Sequence, residues 1–150
     1  MNIRTLVATL LVLFPAALAN AQSPSQDAVR NLSDIVAGHV ASNNADAVYE
    51  AMVPKVKKVY TRDELVAPLA LMRAAYGKLV SYKFKAIQPG QRLVAGEWLR
   101  TVTYWYPVVT EKYPTGLFLK VEITSEGGRF YLAGYSVIQF LGNKAPPFLE

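Results

Sequence analysis

The chain has no cysteine and only one histidine among its 150 residues. The absence of thiols excludes disulfides, thiolate-bound metals, cysteine nucleophiles and a lipid-modified cysteine. A single histidine also excludes a histidine-rich metal site and a catalytic histidine pair. We therefore expect no metal and no other cofactor. A domain of this length can bury about two-thirds of its unfolded surface, so a packed core is enough to hold it together.

Charged residues are also scarce. They make up 18% of the chain, and basic residues outnumber acidic ones to give a formal net charge of +5. The predicted leader carries only Arg4, so its removal leaves +4. An excess of this size does not indicate a nucleic-acid partner. With 52% hydrophobic residues, the composition is that of one ordinary globular domain.

Long apolar runs are missing except at the N-terminus. A positively charged start is followed by an apolar run over residues 6–18 and a small-x-small motif over 19–21, which is typical of a secretory signal peptide. We expect cleavage between Ala21 and Gln22, with cleavage after Ala19 as the alternative. The run is short for a bilayer span, so a membrane anchor is less favoured. We expect a soluble periplasmic or secreted bacterial protein with no transmembrane segment.

The chain after the leader begins with helical periodicity. Apolar residues recur at steps of three and four over 26–42 and again over 45–53, which predicts two helices. Thr61 and Glu64 form a capping box that opens a third helix, and Gly77 is suited to its C-cap. We therefore predict three N-terminal helices.

From Leu79 onward the apolar period changes to two, which is typical of strands. Four strands are predicted, at 79–87, 96–109, 117–123 and 129–140. The turns between them are predicted at 88–91, 111–116 and 127–128. An extended tail is expected over 142–150. Helices followed by an antiparallel meander predict a single α+β domain over 22–150, with the helices on one face of the sheet.

Three segments resemble the cone-shaped α+β fold of nuclear transport factor two and its relatives. They are Tyr49–Lys57 with the following Thr61–Leu65, Met72–Leu79, and Phe130–Val137. They resemble the second and third helices with their extended link, the helix end before the first strand, and the closing strand. The resemblance implies three helices packed on a curved four-stranded antiparallel sheet, with a pocket between the layers. The relatives it suggests are small secreted bacterial proteins without an assigned activity.

An enzyme is the alternative that this resemblance implies. In the ketosteroid isomerases of this fold, a carboxylate or histidine takes a proton while a tyrosine stabilises the oxyanion. An isomerase- or dehydratase-like reaction would here use His39 or Asp46 as the base, with phenols from Tyr104 and Tyr106. A histidine has the near-neutral pKa that proton transfer needs. However, a half-solvated structural histidine at the edge of a helix's apolar stripe is the simpler interpretation.

The aromatic residues of the predicted central strand are divided between its two faces. Alternation places Trp98, Val102, Tyr104 and Tyr106 on one face and Leu99, Thr101, Thr103 and Trp105 on the other. We expect one face to meet the helices. The other is apolar enough to be costly in water, so we expect a sheet-to-sheet homodimer through Leu99, Trp105, Phe118 and Tyr135. Scattered surface aromatics are the alternative. Pro107 should mark a bulge or an edge.

The function predicted first is a non-catalytic binding or protein-interaction domain. Its pocket would take a small apolar ligand and would be lined by Tyr76, Tyr104 and Tyr106, with its mouth near Tyr106. Catalysis is less favoured because the acidic residues fall in caps, turns and alternating strand positions such as Glu122, where solvent is expected.

Overall fold

A computed structural model describes residues 26–140 and 146–149. Four helices come first: α1 (Gln26–Ala41), α2 (Ala45–Ala51), α3 (Pro54–Val59) and α4 (Arg62–Tyr76). Five strands follow: β1 (Leu79–Tyr82), β2 (Ala86–Val94), β3 (Glu97–Thr110), β4 (Leu117–Glu126) and β5 (Arg129–Gln139). The predicted signal peptide and its cleavage site at Ala21 and Gln22 lie outside the described residues. Within the described ranges, no helix is long and apolar enough to cross a membrane.

Helix α4 begins at the capping box that the sequence predicts. The Thr61 hydroxyl accepts a hydrogen bond from the Glu64 amide, and the Glu64 carboxylate accepts one from the Thr61 amide, so the capping box of α4 is confirmed. The Thr61 amide and hydroxyl both donate to the Glu64 carboxylate, and these two hydrogen bonds lower its pKa. The prediction of three helices is wrong by one. Pro54 does not merely end α2 but starts the short α3, because a proline at the first helical position removes no intrahelical hydrogen bond.

The sheet is an antiparallel meander built around β3. One side of β3 pairs with β4, which pairs with β5. The other side pairs with β2 along residues 97–105 and with β1 along 108–110. Since β1 and β2 follow one another along the same edge, they are two parts of one interrupted strand. The sheet thus has the four-stranded antiparallel order that the sequence predicts.

Pro107 lies inside β3, opposite the interruption between β1 and β2. Its carbonyl accepts a hydrogen bond from the Lys83 amide, which shows that its backbone polar side faces this edge. A residue in a strand points its N–H and C=O the same way, so the missing N–H of Pro107 costs no bond to β4. The expectation that Pro107 marks a bulge or an edge is therefore wrong, because Pro107 lies in the regularly paired central strand and it is the neighbouring edge strand that is interrupted.

The predicted turn at 88–91 is wrong, because β2 continues through Pro89 and Gly90 to Val94. The hairpin turn is Ala95–Gly96 instead, with φ of 51° and 81°. Two successive positive φ values are what a tight two-residue hairpin needs. Pro89 is tolerated because β2 is an edge strand. The turn predicted at 127–128 is confirmed.

The main core lies between the helices and one face of the sheet. It is apolar, and its fully buried members include Val36, Val48, Tyr106, Leu119, Val121 and Leu132. The residues of α1 that join it follow the predicted helical spacing. A smaller second core forms where α3 meets the β2–β3 hairpin, and it contains Val53, Val56 and Val94 with Leu65, Leu99 and Tyr131.

The sheet curls into a half-barrel. Arg92 on β2 forms an ion pair with Glu122 on β4, which reaches across the intervening β3. Lys55 on α3 pairs with Glu97 at the start of β3. The Val53 amide donates to the Leu132 carbonyl at the outer edge of β5. The curl of the sheet thus brings the β2–β3 hairpin and the outer edge of β5 to the segment that links α2 to α3.

The tail differs from the expected extended segment where it is described. Residues Pro147–Leu149 form a 3₁₀ turn with Leu149 buried, whereas 142–145 and 150 lie outside the described residues. Phe148 and Phe140 lie with their ring centroids 5.8 Å and 6.3 Å from that of Trp105. The C-terminal residues therefore cover part of the sheet face that lies opposite the main core.

Candidate functional site

Tyr106 is held in the core by a hydrogen-bonded cluster at the contact between β3 and α1. Its hydroxyl donates to Asp34 Oδ1 at 2.7 Å and lies 2.7 Å from Ser33 Oγ. Because a phenol has one proton, Ser33 is the donor in the second bond. The residue is 1% exposed. Burial, with smaller contributions from Asp34, raises the pKa of Tyr106 far above its usual value. This phenol is fully occupied and stays protonated.

Arg30 completes the cluster. Its Nε donates to both carboxylate oxygens of Asp34, at 3.0 Å and 2.9 Å, and its guanidinium carbon lies 3.5 Å from the centre of the Phe84 ring. Phe84 in turn packs against Tyr104 and Tyr106. The Asp34 carboxylate beside the predicted phenols is therefore committed to a guanidinium and a phenol. It is poorly placed to act as a free base.

Tyr104 is different because its hydroxyl makes no hydrogen bond to any residue in the described ranges. The side chain is 2% exposed, and burial raises its pKa. It lies at the floor of a groove of about 260 Å³, which we call the Tyr104 groove. The lining consists of Gln26, Val29, Ile87, Pro89, Val102 and Tyr104.

The Tyr104 groove lies between the first turn of α1 and strands β2 and β3. Val29 and Val102 also line a neighbouring depression of about 170 Å³ that reaches Ile123 and Phe130. The two spaces therefore meet beneath the start of α1 and together cross the sheet. The groove is lined mostly by apolar side chains, and the depression by equal numbers of apolar and polar ones, so the arrangement suits an elongated molecule that is apolar at the groove end.

The other predicted site residues are not brought to this groove. Tyr76 lines a separate cavity of about 30 Å³ with Met72 and Leu69, which is about the volume of one water molecule in the liquid. His39 is half-buried on α1, and no hydrogen bond joins its side chain to Tyr104 or Tyr106. Five residues along an α-helix amount to roughly 140° of rotation, so His39 faces well away from Asp34.

The four residues predicted to form a dimer interface do not share one open surface. Tyr135 faces the helices, against the expectation, as its hydroxyl shows by donating to the Leu65 carbonyl on α4 at 3.0 Å. Burial raises the pKa of Tyr135 to about 12. Leu99 packs into the second core. Phe118 lies edge-on to Phe140, and Trp105 is covered by the C-terminal residues. A single copy of the chain already contacts all four.

Glu122 is the charged residue that the sequence interpretation placed wrongly. Its side chain is only 7% exposed, although alternation along β4 predicts solvent. Arg92 Nη1 lies 2.6 Å from one carboxylate oxygen and Lys120 Nζ lies 2.8 Å from the other. Lys120 lies two residues before Glu122 on the same face of β4, so the sequence could have indicated this ion pair. Arg92 becomes a partner only through the curl, which no local pattern reveals.

Two buried polar atoms on the same face find no hydrogen-bond partner among the described residues, namely Thr101 Oγ1 and Trp105 Nε1. Thr101 Oγ1 leans over Gly90 on the neighbouring strand, where a side chain would crowd it. The neighbouring Thr124, by contrast, donates to the Arg100 carbonyl at 2.8 Å.

Within the described part of the chain, no group of three or more histidine, cysteine, aspartate or glutamate side chains could hold a metal ion. No model of a known protein family matches the chain, and no significant match was found among curated proteins or solved structures. Any function therefore has to be argued from the geometry of the site itself.

Proposed function

We propose that this chain is an exported, non-catalytic binding domain whose Tyr104 groove takes a small apolar molecule with one hydrogen-bonding end. The observation that carries this proposal is the Tyr104 phenol, which is hydrogen-bonded by no described residue and lies at the floor of a largely apolar groove. A ligand that fills the groove removes water from this hydroxyl, and a hydroxyl left unpaired without water is costly, so the ligand has to supply a hydrogen-bonding partner. Apolar walls add a hydrophobic contribution in proportion to the area covered.

The size of the groove limits what it can hold. Its volume of about 260 Å³ lies just below the usual range of ligand pockets, roughly 300–1,000 Å³. A ligand of about ten to fifteen non-hydrogen atoms fits such a space, and affinities of roughly 10–100 μM are ordinary at that size. The neighbouring depression gives room for a longer tail.

The environment of the phenols supports binding over catalysis. Asp34 is engaged by Arg30 and Tyr106, while His39 lies outside the lining of the groove. Neither group is positioned beside Tyr104 as a free proton acceptor. The isomerase- or dehydratase-like alternative with His39 stays a prediction without an observation that favours it.

We also propose that this domain has the cone-shaped fold of nuclear transport factor two. A half-barrel sheet with helices on one face is compatible with that fold. The N-terminal pattern supports export to the periplasm. A homodimer remains part of the proposal, although Trp105 and Leu99 already have partners within one chain and do not require a second copy.

Fluorescence titration with N-phenyl-1-naphthylamine tests the groove. This probe is neutral and apolar, carries one N–H, brightens in apolar surroundings, and is long enough to extend from the groove into the neighbouring depression. We expect saturable binding to the native protein and at least tenfold weaker binding to Ile87→Arg, which puts a charge on the groove wall. Val80→Arg is the matched control, because Val80 is an exposed β-branched strand residue outside the lining. Equal loss in both variants, or no saturable binding at all, would refute the proposal.

A further inference from the structure

A second cleft lies away from the Tyr104 groove, between the ends of β2 and β5. Its volume is about 240 Å³, and α3 and α4 form its back wall. Its apolar lining includes Val56, Leu65, Pro68 and Leu93, and its charged lining includes Arg92. None of the residues that line it also lines the Tyr104 groove. We call it the Arg92 cleft.

Arg92 has unused hydrogen-bonding capacity in this cleft. A guanidinium carries five N–H donors. Only Nη1 is engaged, by Glu122 at 2.6 Å, and no other acceptor within the described residues bonds to the group. The side chain is 42% exposed, so its remaining edge is accessible. The free edge formed by Nε and Nη2 is the one that receives a carboxylate through two parallel hydrogen bonds.

Gly134 on β5 makes this position of Arg92 possible. Any side chain at residue 134 would overlap the Arg92 guanidinium, whose Nη1, Cζ and Nε atoms lie directly over the glycine. The absence of a side chain thus lets the planar group lie flat on the strand and reach the buried Glu122. The guanidinium is held in place by its surroundings before any ligand binds, which reduces the entropic cost of binding.

The local charge leaves Arg92 available to an anion. Glu122 is also paired with Lys120 at 2.8 Å, so two cations face one carboxylate and one positive charge is in excess. Glu64 lies at the rim of the cleft, but both the Thr61 amide and the Thr61 hydroxyl donate to its Oε2, at 2.7 Å and 2.9 Å. That carboxylate is exposed and therefore screened by solvent.

We propose that the Arg92 cleft binds a small organic carboxylate. The carboxylate would take the free edge of Arg92, and its apolar body would lie against Leu65, Pro68 and Leu93. This site does not depend on the Tyr104 groove and takes a different chemical class of ligand.

Calorimetric titration with benzoate, and with neutral benzamide of the same shape, tests the charge requirement. We expect benzoate to bind with a Kd of roughly 0.1–1 mM, as suits a ligand of nine non-hydrogen atoms, and benzamide at least tenfold more weakly. Equal binding of the two, or no benzoate binding, would overturn the proposal. Displacement of N-phenyl-1-naphthylamine by benzoate would also overturn it, since that result assigns benzoate to the Tyr104 groove.

Variants locate the site. Arg92→Gln should abolish benzoate binding, but it also removes a partner of buried Glu122 and can impair folding. Leu93→Asp avoids that difficulty, because it puts a negative charge on the cleft wall without touching Glu122, and we expect at least a tenfold loss. Leu71→Asp is its control, since Leu71 is an exposed leucine on α4 outside the lining. Benzoate binding to Leu93→Asp at native strength would contradict the proposal.

Discussion

The two faces of the sheet are both buried, but by different means. The helix-facing side is largely apolar and is covered by the helices. The Tyr106 and Tyr135 hydroxyls on this side are hydrogen-bonded, whereas the Tyr104 hydroxyl is hydrogen-bonded to no described residue. The other side is covered by a helix only at its hairpin end, where α3 packs on Val94 and Leu99. Its threonines and Glu122 are buried by the curl of the sheet, by Arg92 and by the C-terminal aromatic residues. A sheet face that packs against helices is built mainly from apolar side chains. A face that is buried by the curl of the sheet also contains polar side chains, and these need hydrogen-bond partners on other strands.

The largest expected difference between the faces is in packing. Leu119 and Phe118 are neighbours on β4 that point to opposite faces, and Leu119 is fully buried in the main core. We expect Leu119→Ala to lower the free energy of unfolding by about 3 kcal/mol, as for other buried leucines. Phe118→Ala should lower it by only about 1 kcal/mol, because that ring is half-buried. Urea denaturation measures both, and equal losses would show that the second face is packed as tightly as the first.

Two phenols on the helix-facing side give a sharper test of polar pairing. Tyr106→Phe should lower the free energy of unfolding by about 2 kcal/mol, since it removes one buried and one part-buried hydrogen bond and leaves Ser33 and Asp34 short of a partner. Tyr104→Phe is the matched control and should change the stability by less than about 0.5 kcal/mol, because its hydroxyl has no partner to lose. A costly Tyr104→Phe substitution, measured by the same denaturation, would contradict the unpaired hydroxyl on which the groove proposal rests.

The smallest expected effect has opposite signs at two threonines of the curled face. Thr101→Val should raise the free energy of unfolding by about 0.5–1 kcal/mol, because it replaces an unpaired buried hydroxyl with a methyl group of similar size. Thr124→Val should lower it by about 1 kcal/mol through loss of the bond to the Arg100 carbonyl. Thermal unfolding of the two variants in parallel separates them. If Thr101→Val destabilises the protein as much as Thr124→Val does, the Thr101 hydroxyl has a partner such as a buried water.

Much of the fold is predictable from local patterns. The spacing of valines in α1, the capping box at Thr61 and the glycine pair at 127–128 each fix an element through interactions between residues close in sequence. The prediction of a turn at 88–91 was wrong because proline and glycine, which are typical of turns, are also tolerated in an edge strand. The real turn at Ala95 carries a positive φ on a residue that rarely adopts it, so its sequence gives little warning.

The site was less predictable, because it depends on contacts between distant segments. Alternation correctly grouped Tyr104 with Tyr106, but it could not show that one phenol is bonded to Ser33 and Asp34 while the other is free. It also placed Glu122 in solvent, since the curl that brings Arg92 to it is a property of the whole sheet. Tyr135 was assigned to the wrong face because the register shift between β4 and β5 near Glu122 changes the alternation relative to β4.

The most direct test of the proposed function is amide chemical-shift mapping of the isotope-labelled protein during titration with N-phenyl-1-naphthylamine. The account predicts saturable shifts concentrated at the amides of Val29, Ile87, Val102 and Tyr104, with little change around Met72 and Tyr76. Shifts centred on Met72 and Tyr76, or shifts spread over the surface without saturation, would contradict the claim that the Tyr104 groove is the binding site.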